Sequence, residues 1–172
     1  ASQTVGGLFQ TDYWNYRMFE TISRNNRKPV SPGTMGLLTD PGHPLFRSFP
    51  TDFHTNWQWF PIVKQSYPLI LDYFPKGYRP IVQVIDNIER NHKLGLIFEL
   101  AVGKGKLLVC MSDLEAADDK PEVRQLYRSM LDYMASGDFN PKTAVSSGEL
   151  VRLLRIRPEE TKREELRNIS FE

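Results

Sequence analysis

Along this chain, short continuous apolar runs alternate with stretches in which apolar residues recur every three or four positions. The two periods separate strands from helices. Met35-Gly-Leu-Leu-Thr39 reads as a strand closed by a turn at Asp40-Pro-Gly42, and residues 43–49 hold room for one helical turn before Pro50 stops it. Leu69–Phe74 and Pro80–Ile85 are further strand candidates. The clearest β signal is the pair of runs Leu94–Val102 and Lys106–Met111, joined by Gly103-Lys104-Gly105. A glycine on either side of Lys104 supplies positive φ, so this is a hairpin. The best helix starts with Pro121 and places Val123, Leu126, Tyr127, Met130, Leu131 and Met134 on one stripe, with Gly137 as a left-handed C-cap. Ser147 caps another helix carrying Leu150, Val151, Leu153 and Leu154, and Pro158–Arg167 is almost wholly charged. Near the start, a strand around Val5–Phe9 precedes a helix capped by Thr11 or Asp12, with Trp14, Met18, Phe19 and Ile22 on one face; a proline-bearing loop follows over Lys28–Gly33.

Apolar strands alternating with amphipathic helices predict a layered α/β fold. Its sheet is expected to be mostly parallel and flanked by helices, with the β-hairpin near residues 94–111 toward one edge. The expected division is an α/β domain over 1–137 and a helical C-terminal extension over 138–172, packed on it or trailing from it.

Composition narrows the partners. The 172 residues carry 22 basic and 21 acidic side chains, a net charge of +1, so the clustered cationic surplus that phosphate backbones require is missing and nucleic acid is not an expected partner. There is a single cysteine, Cys110, which leaves no intrachain disulfide. No Cys/His spacing suits zinc, and no cofactor is expected. No apolar run reaches the length of a membrane span, and the opening residues lack the apolar region of a signal peptide. The absence of an initiator Met fits a processed protein or a piece of a longer one.

The residues that can carry chemistry are few. Cys110 lies inside an apolar strand with no histidine beside it, which predicts a buried structural thiol. Gly103-Lys-Gly-Lys106 resembles a phosphate loop only superficially, since it lies between strands rather than ahead of a helix. Asp72, Asp86, Glu89, Glu99, Asp113 and Glu115 are scattered and form no evident acid/base pair. The sequon at Asn168 is the frequency expected by chance. The one place where polar and aromatic groups crowd together is residues 51–60, with His54, Asn56, Trp57, Gln58 and Trp59. Such a cluster can hold a glycan, with sugar faces stacked on the rings and hydroxyls on the amides and acids. The same residues equally fit a core role, with the tryptophans under the sheet and His54 and Asn56 satisfying loop backbone groups. On a strand the two tryptophans would share a face, whereas on a helix they would point about 200° apart. Pro61 biases Phe60 toward extended geometry. The polar alternation stops at Phe60, so at least one of the two rings is expected to be buried.

Several runs resemble the C-terminal region of bacterial glycoside hydrolase family 2 proteins of the β-galactosidase-like kind found in gut Bacteroidetes. They are Tyr13–Phe19, Lys28–Phe46, Phe49–Phe60, Arg79–Asp86 and Leu94–Cys110, within a resemblance that covers about residues 8–135. It implies a class I glutamine amidotransferase-like (flavodoxin-like) domain downstream of a catalytic barrel, with a non-catalytic role in assembly. The implied partners are the parent's catalytic barrel and β-sandwich domains, with carbohydrate and a homo-oligomer also open. The implied location is the periplasm or outer surface of a Gram-negative bacterium, with no membrane contact by this chain. Amidase activity does not carry over, because the strand ending at Met111 leads into Ser112-Asp-Leu-Glu115, with neither a nucleophile elbow nor a His-x-Glu pair. The barrel's catalytic glutamates lie outside the chain. Three readings follow: an accessory and assembly domain of a glycoside hydrolase, a carbohydrate-binding module using the aromatic cluster at 57–60, and a degenerate amidotransferase-type hydrolase centred on Cys110. Exposure separates them, since solvent-facing tryptophans favour the module and a reactive Cys110 favours the enzyme.

Overall fold

The structure is a computed structural model and describes residues 24–25, 27, 34–86 and 91–155. The strand expected near Val5–Phe9, the helix after Thr11 or Asp12, the loop at 28–33, Glu89, the charged tail and Asn168 lie outside those residues. Among the described residues are six strands: β1 Gly36–Thr39, β2 Leu69–Ile70, β3 Val82–Ile85, β4 Lys93–Val102, β5 Gly105–Cys110 and β6 Ala144–Val145. The α-helices that lie wholly within the described residues are α1 Phe60–Lys64, α2 Pro121–Ala135 and α3 Ser147–Arg155. Short 3-10 turns cover Pro44–Phe46, Trp57–Trp59 and Glu115–Ala117.

The expected mostly parallel, flavodoxin-like α/β sheet is not what forms. β1 pairs with β3, β3 with β4, β4 with β5 and β2 with β4, all antiparallel, and β6 alone lies parallel to β4. For the β3–β4 pair the reason is chain length. Only residues 86–92 separate β3 from β4, too few for the dozen-residue crossover that a parallel pair requires. Apolar runs that read as parallel strands are apolar because both faces of this antiparallel sheet are covered.

β4 is the spine. Gly95 pairs with Leu69 and Gln83, Ile97 with Val82 and Cys110, and Ala101 with Lys106 and Ala144. A residue has only two edges, so β3 and β6 follow one another along one side of β4, and β2 and β5 along the other. Val82 faces Ile97 while Gln83 faces Gly95, so β4 carries one extra residue, Leu96, against β3. This bulge exchanges the faces of the strand. Leu94, Leu96 and Ile97 join the main core under α1 and α2, whereas Phe98 and Leu100 join Leu69, Leu71 and Tyr78 on the opposite face. Val145 and Leu150 pack against that second cluster. At Gly95 a side chain has no room, since a Cβ would sit 2.5 Å from Leu71 Cδ1 and 3.0 Å from Phe98 Cδ1.

Several local expectations hold in outline and shift in detail. Of the two glycines that flank Lys104 only Gly103 has positive φ (58°) and Gly105 does not, the pattern of a type II′ turn. β2 is shorter than the apolar run Leu69–Phe74, because the chain turns after Leu71 with Phe74 N–H on Leu71 O. α2 ends on Ser136, whose hydroxyl and N–H both reach Tyr133 O, and Gly137 does not adopt the left-handed conformation. Ser146, not Ser147, caps α3, in a reciprocal box with Glu149: Glu149 N–H donates to Ser146 Oγ and Ser146 N–H to Glu149 Oε2.

The stripe on α2 is narrower than its sequence spacing implies. Val123, Leu126, Met130 and Tyr133 are buried together with Ser129, whose hydroxyl donates to Leu45 O. Tyr127, Leu131 and Met134 flank that line and stay exposed. Leu126, at 0% exposure, should therefore lose about 2–5 kcal/mol on replacement by alanine. Leu131→Ala, at 40% exposure, should change stability by about 0.5 kcal/mol or less, both read by urea denaturation. Equal losses would mean that the helix sits rotated on the sheet.

Candidate functional site

The aromatic segment begins as a clip on the outer edge of β1. Thr39 N–H donates to Phe53 O at 3.1 Å, the Thr39 hydroxyl to Asp52 O, and Leu37 N–H to Thr55 Oγ1 at 2.8 Å. A β-bridge joins Leu38 to His54. The edge donors of β1 are thus taken up by residues 52–55, which fixes the approach to the tryptophans.

The extended geometry expected through Trp57 and Trp59 does not occur. Residues Trp57–Trp59 form a 3-10 turn that runs into α1, and Phe60 is helical (φ −55°, ψ −56°) directly ahead of Pro61. Proline is tolerated there because the first turn of a helix has no internal partner for its N–H. Burial of Trp59, Ile62 and Val63 outweighs the local bias on Phe60. Trp59 is 0% exposed and meets Phe49 and Phe46 edge-on, at centroid distances of 5.2 and 6.1 Å. Its indole N–H donates to Thr51 Oγ1 at 2.7 Å, so its one polar atom is satisfied. Trp57 points the other way and is 81% exposed.

Of the five residues expected to gather as a sugar site, Trp57 alone lines the groove between α1 and the start of α2. His54 is exposed with Nδ1 on Thr55 O, Asn56 donates to Asp52 Oδ2 at 3.1 Å, and Gln58 donates to Pro50 O at 2.7 Å. These three brace the loop. The groove, of about 530 Å³, has Trp57, Phe60 and Lys64 on one wall and Asp119, Lys120 and Glu122 on the other. Trp57 and Phe60 lie 6.0 Å apart with planes tilted by 56°, and Lys64 Nζ sits 5.6 Å from the Phe60 centroid. The segment that carries the first wall is tied to the residues just after β5. Asp113 N–H donates to Gln65 O at 2.7 Å, Tyr67 N–H to Met111 O at 2.9 Å, and the Ser112 hydroxyl to Ile62 O at 2.5 Å. Phe60 was legible in the aromatic run. The far wall gave no signal, being ordinary charged residues some sixty positions downstream.

The remaining chemistry-bearing residues serve structure. Burial pushes the Cys110 thiol up to about 11, against the lowering pull of a backbone hydrogen bond from Ser112, so the thiolate is scarce at neutral pH. The 3-10 turn after β5 is no nucleophile elbow. The face exchange in β4 turns Glu99 toward α2, where the Tyr133 hydroxyl donates to Glu99 Oε2 at 2.7 Å; burial and that carboxylate raise the phenol. Asp72 Oδ2 lies 2.6 Å from His92 Nδ1, and Lys93 N–H donates to Asp72 Oδ1 at 2.7 Å. Burial raises the Asp72 carboxyl, but these bonds and the neighbouring positive charges outweigh it and hold it below its ordinary value. Asp86 Oδ2 accepts His92 N–H, and Asp113 Oδ1 accepts Ala116 N–H. Among the described residues no group of three or more His, Cys, Asp or Glu side chains is arranged to hold a metal ion, and no helix is long and apolar enough to cross a membrane.

These elements make an α+β domain whose mainly antiparallel sheet holds a shallow aromatic groove at one end. The model of the family described as a domain of unknown function (DUF8487) matches residues 1–155, and the chain belongs to that family. No curated protein matches it.

His43 gives the domain a pH signature. Its Nδ1 accepts Leu45 N–H at 3.2 Å and caps the 3-10 turn, and burial lowers its pKa below 6.5 against the raising pull of Glu99 and Asp40. The unfolded chain therefore takes up this proton first as pH falls. The contribution is complete above 6.5 and declines from there down to the lower folded value. Asp72 has the same sign in a separate window, below its ordinary 3.8. As pH drops below 6.5, His43→Asn, which caps without titrating, should lose less of its urea midpoint than the chain with His43 does. Equal losses in the two chains, or a larger loss in His43→Asn, would contradict the assignment.

Proposed function

We propose that the chain is a non-catalytic accessory module of a carbohydrate-degrading glycoside hydrolase, and that Trp57 is its platform for sugar. The observation that carries this reading is the contrast between Trp59, at 0% exposure, and Trp57, at 81%. A large indole left in solvent on a loop held by several hydrogen bonds is a preorganised apolar face, and pyranose rings present C–H faces that stack on such surfaces. The groove beside it falls within the roughly 300–1,000 Å³ range of small-ligand sites and brings polar groups within reach of hydroxyls. The resemblance to the family 2 C-terminal region supplies the setting, because one of its runs, Phe49–Phe60, contributes Trp57 and Phe60 to this groove. In that setting the domain works beside a catalytic barrel in the periplasm or on the outer surface of a Gram-negative cell. The raised Cys110 thiol argues against an amidotransferase-type hydrolase.

Titration with galactosides and gluco-oligosaccharides at millimolar concentration should give a saturable change in intrinsic fluorescence with at least one sugar. Trp57→Ala should abolish that change while moving stability by about 0.5 kcal/mol or less, as expected for an exposed side chain. A response that survives Trp57→Ala, or no response to any of these sugars, would sink the platform.

A further inference from the structure

We infer that the groove takes a single, uncharged pyranose at a chain end and not the interior of a polysaccharide; this rests on the sugar-platform reading above. In a flat, ribbon-like glycan successive rings share a plane, so reading the interior of such a chain calls for aromatic faces that are nearly coplanar. Trp57 and Phe60 are tilted by 56° with centroids 6.0 Å apart, which makes a corner. One ring can set its apolar face on Trp57 and its exocyclic carbon against Phe60, but the next ring of the chain then finds no second platform. Trp59, the remaining tryptophan of the segment, is enclosed, and the exposed Phe53 does not line the groove. Lys64 over the Phe60 ring closes that end further.

The charges select against an acidic sugar. Lys64 on one wall faces Asp119, Lys120 and Glu122 on the other, so the groove carries two ammonium groups and two carboxylates. Lys120 is already paired with Asp119, and Lys64 is held over Phe60. A uronate would meet both carboxylates, and the two lysine charges are already offset by them, whereas neutral hydroxyls can accept from the ammonium groups and donate to the acids without that repulsion.

The test is calorimetric titration of the chain with methyl β-pyranosides of the gluco, galacto, manno and xylo series, with di-, tetra- and hexasaccharides of whichever sugar binds, and with the matching uronate. The inference predicts one site, an affinity per molecule that stays within about twofold from the monosaccharide upward, and uronate binding at least about tenfold weaker. Phe60→Ala should weaken the monosaccharide about tenfold or more while the melting curve confirms a folded domain. An affinity that climbs about tenfold or more with chain length would overturn the single-ring inference and leave Trp57 as a platform for a longer glycan. Uronate binding as tight as the neutral sugar would overturn the charge argument. No binding by any of these sugars would remove the platform reading itself and this inference with it.

Discussion

The enclosure of Trp59 is the constraint on which the site depends. Burying an indole removes about 150–250 Å² from water, a gross gain of roughly 4–6 kcal/mol, but only if the ring N–H keeps a partner. Thr51 provides it, which ties the start of the loop to its end. A 3-10 turn has about three residues per turn, so residues two apart point about 120° away from each other. With Trp59 fixed inward against Phe46 and Phe49, Trp57 has no inward direction left. Its exposure follows from its neighbour's burial.

A second constraint sits in β4. One extra residue at Leu96 lets the same strand feed the core under α2 with its first half and the opposite cluster with its second. Without that bulge Phe98 would crowd toward α2 and Glu99 would face the apolar cluster with Leu71. The arrangement also explains Gly95, which sits where Leu71 and Phe98 close over the strand. The antiparallel wrapping of β4 on both sides holds β5 and the segment after it in register, and that segment carries Ala117 and Lys120 to the far side of the groove.

Parts of this were legible in the residues. The hairpin at 94–111 and the helix from Pro121 show in periodicity and turn chemistry, because those signals are local. Parallel versus antiparallel pairing was not legible, since a strand buried on both faces has the same apolar run in either sheet. Gly137 misled because a serine one residue earlier satisfies the last carbonyl first. Pro61 misled because its bias on Phe60 is weak beside the burial of Trp59 and Ile62. At the site, sequence placed Trp57 among five candidates and named the alternative of a buried ring correctly for Trp59. It also named a loop-bracing role for His54 and Asn56, and His54 meets a backbone carbonyl at Thr55 while Asn56 meets the Asp52 side chain instead. It could not place Gln58 on Pro50 O, nor bring Lys120 and Glu122 opposite Phe60, because that depends on how α1 and α2 meet.

The central claim is that a buried Trp59 holds Trp57 out. Hydrogen exchange of the indole N–H groups, followed by NMR with signals assigned through single Trp→Phe substitutions, tests it most directly. The account predicts that the Trp59 indole is protected to nearly the limit of global unfolding, through its bond to Thr51, while the Trp57 indole exchanges close to the rate of a free side chain. Equal, rapid exchange at both rings would contradict it.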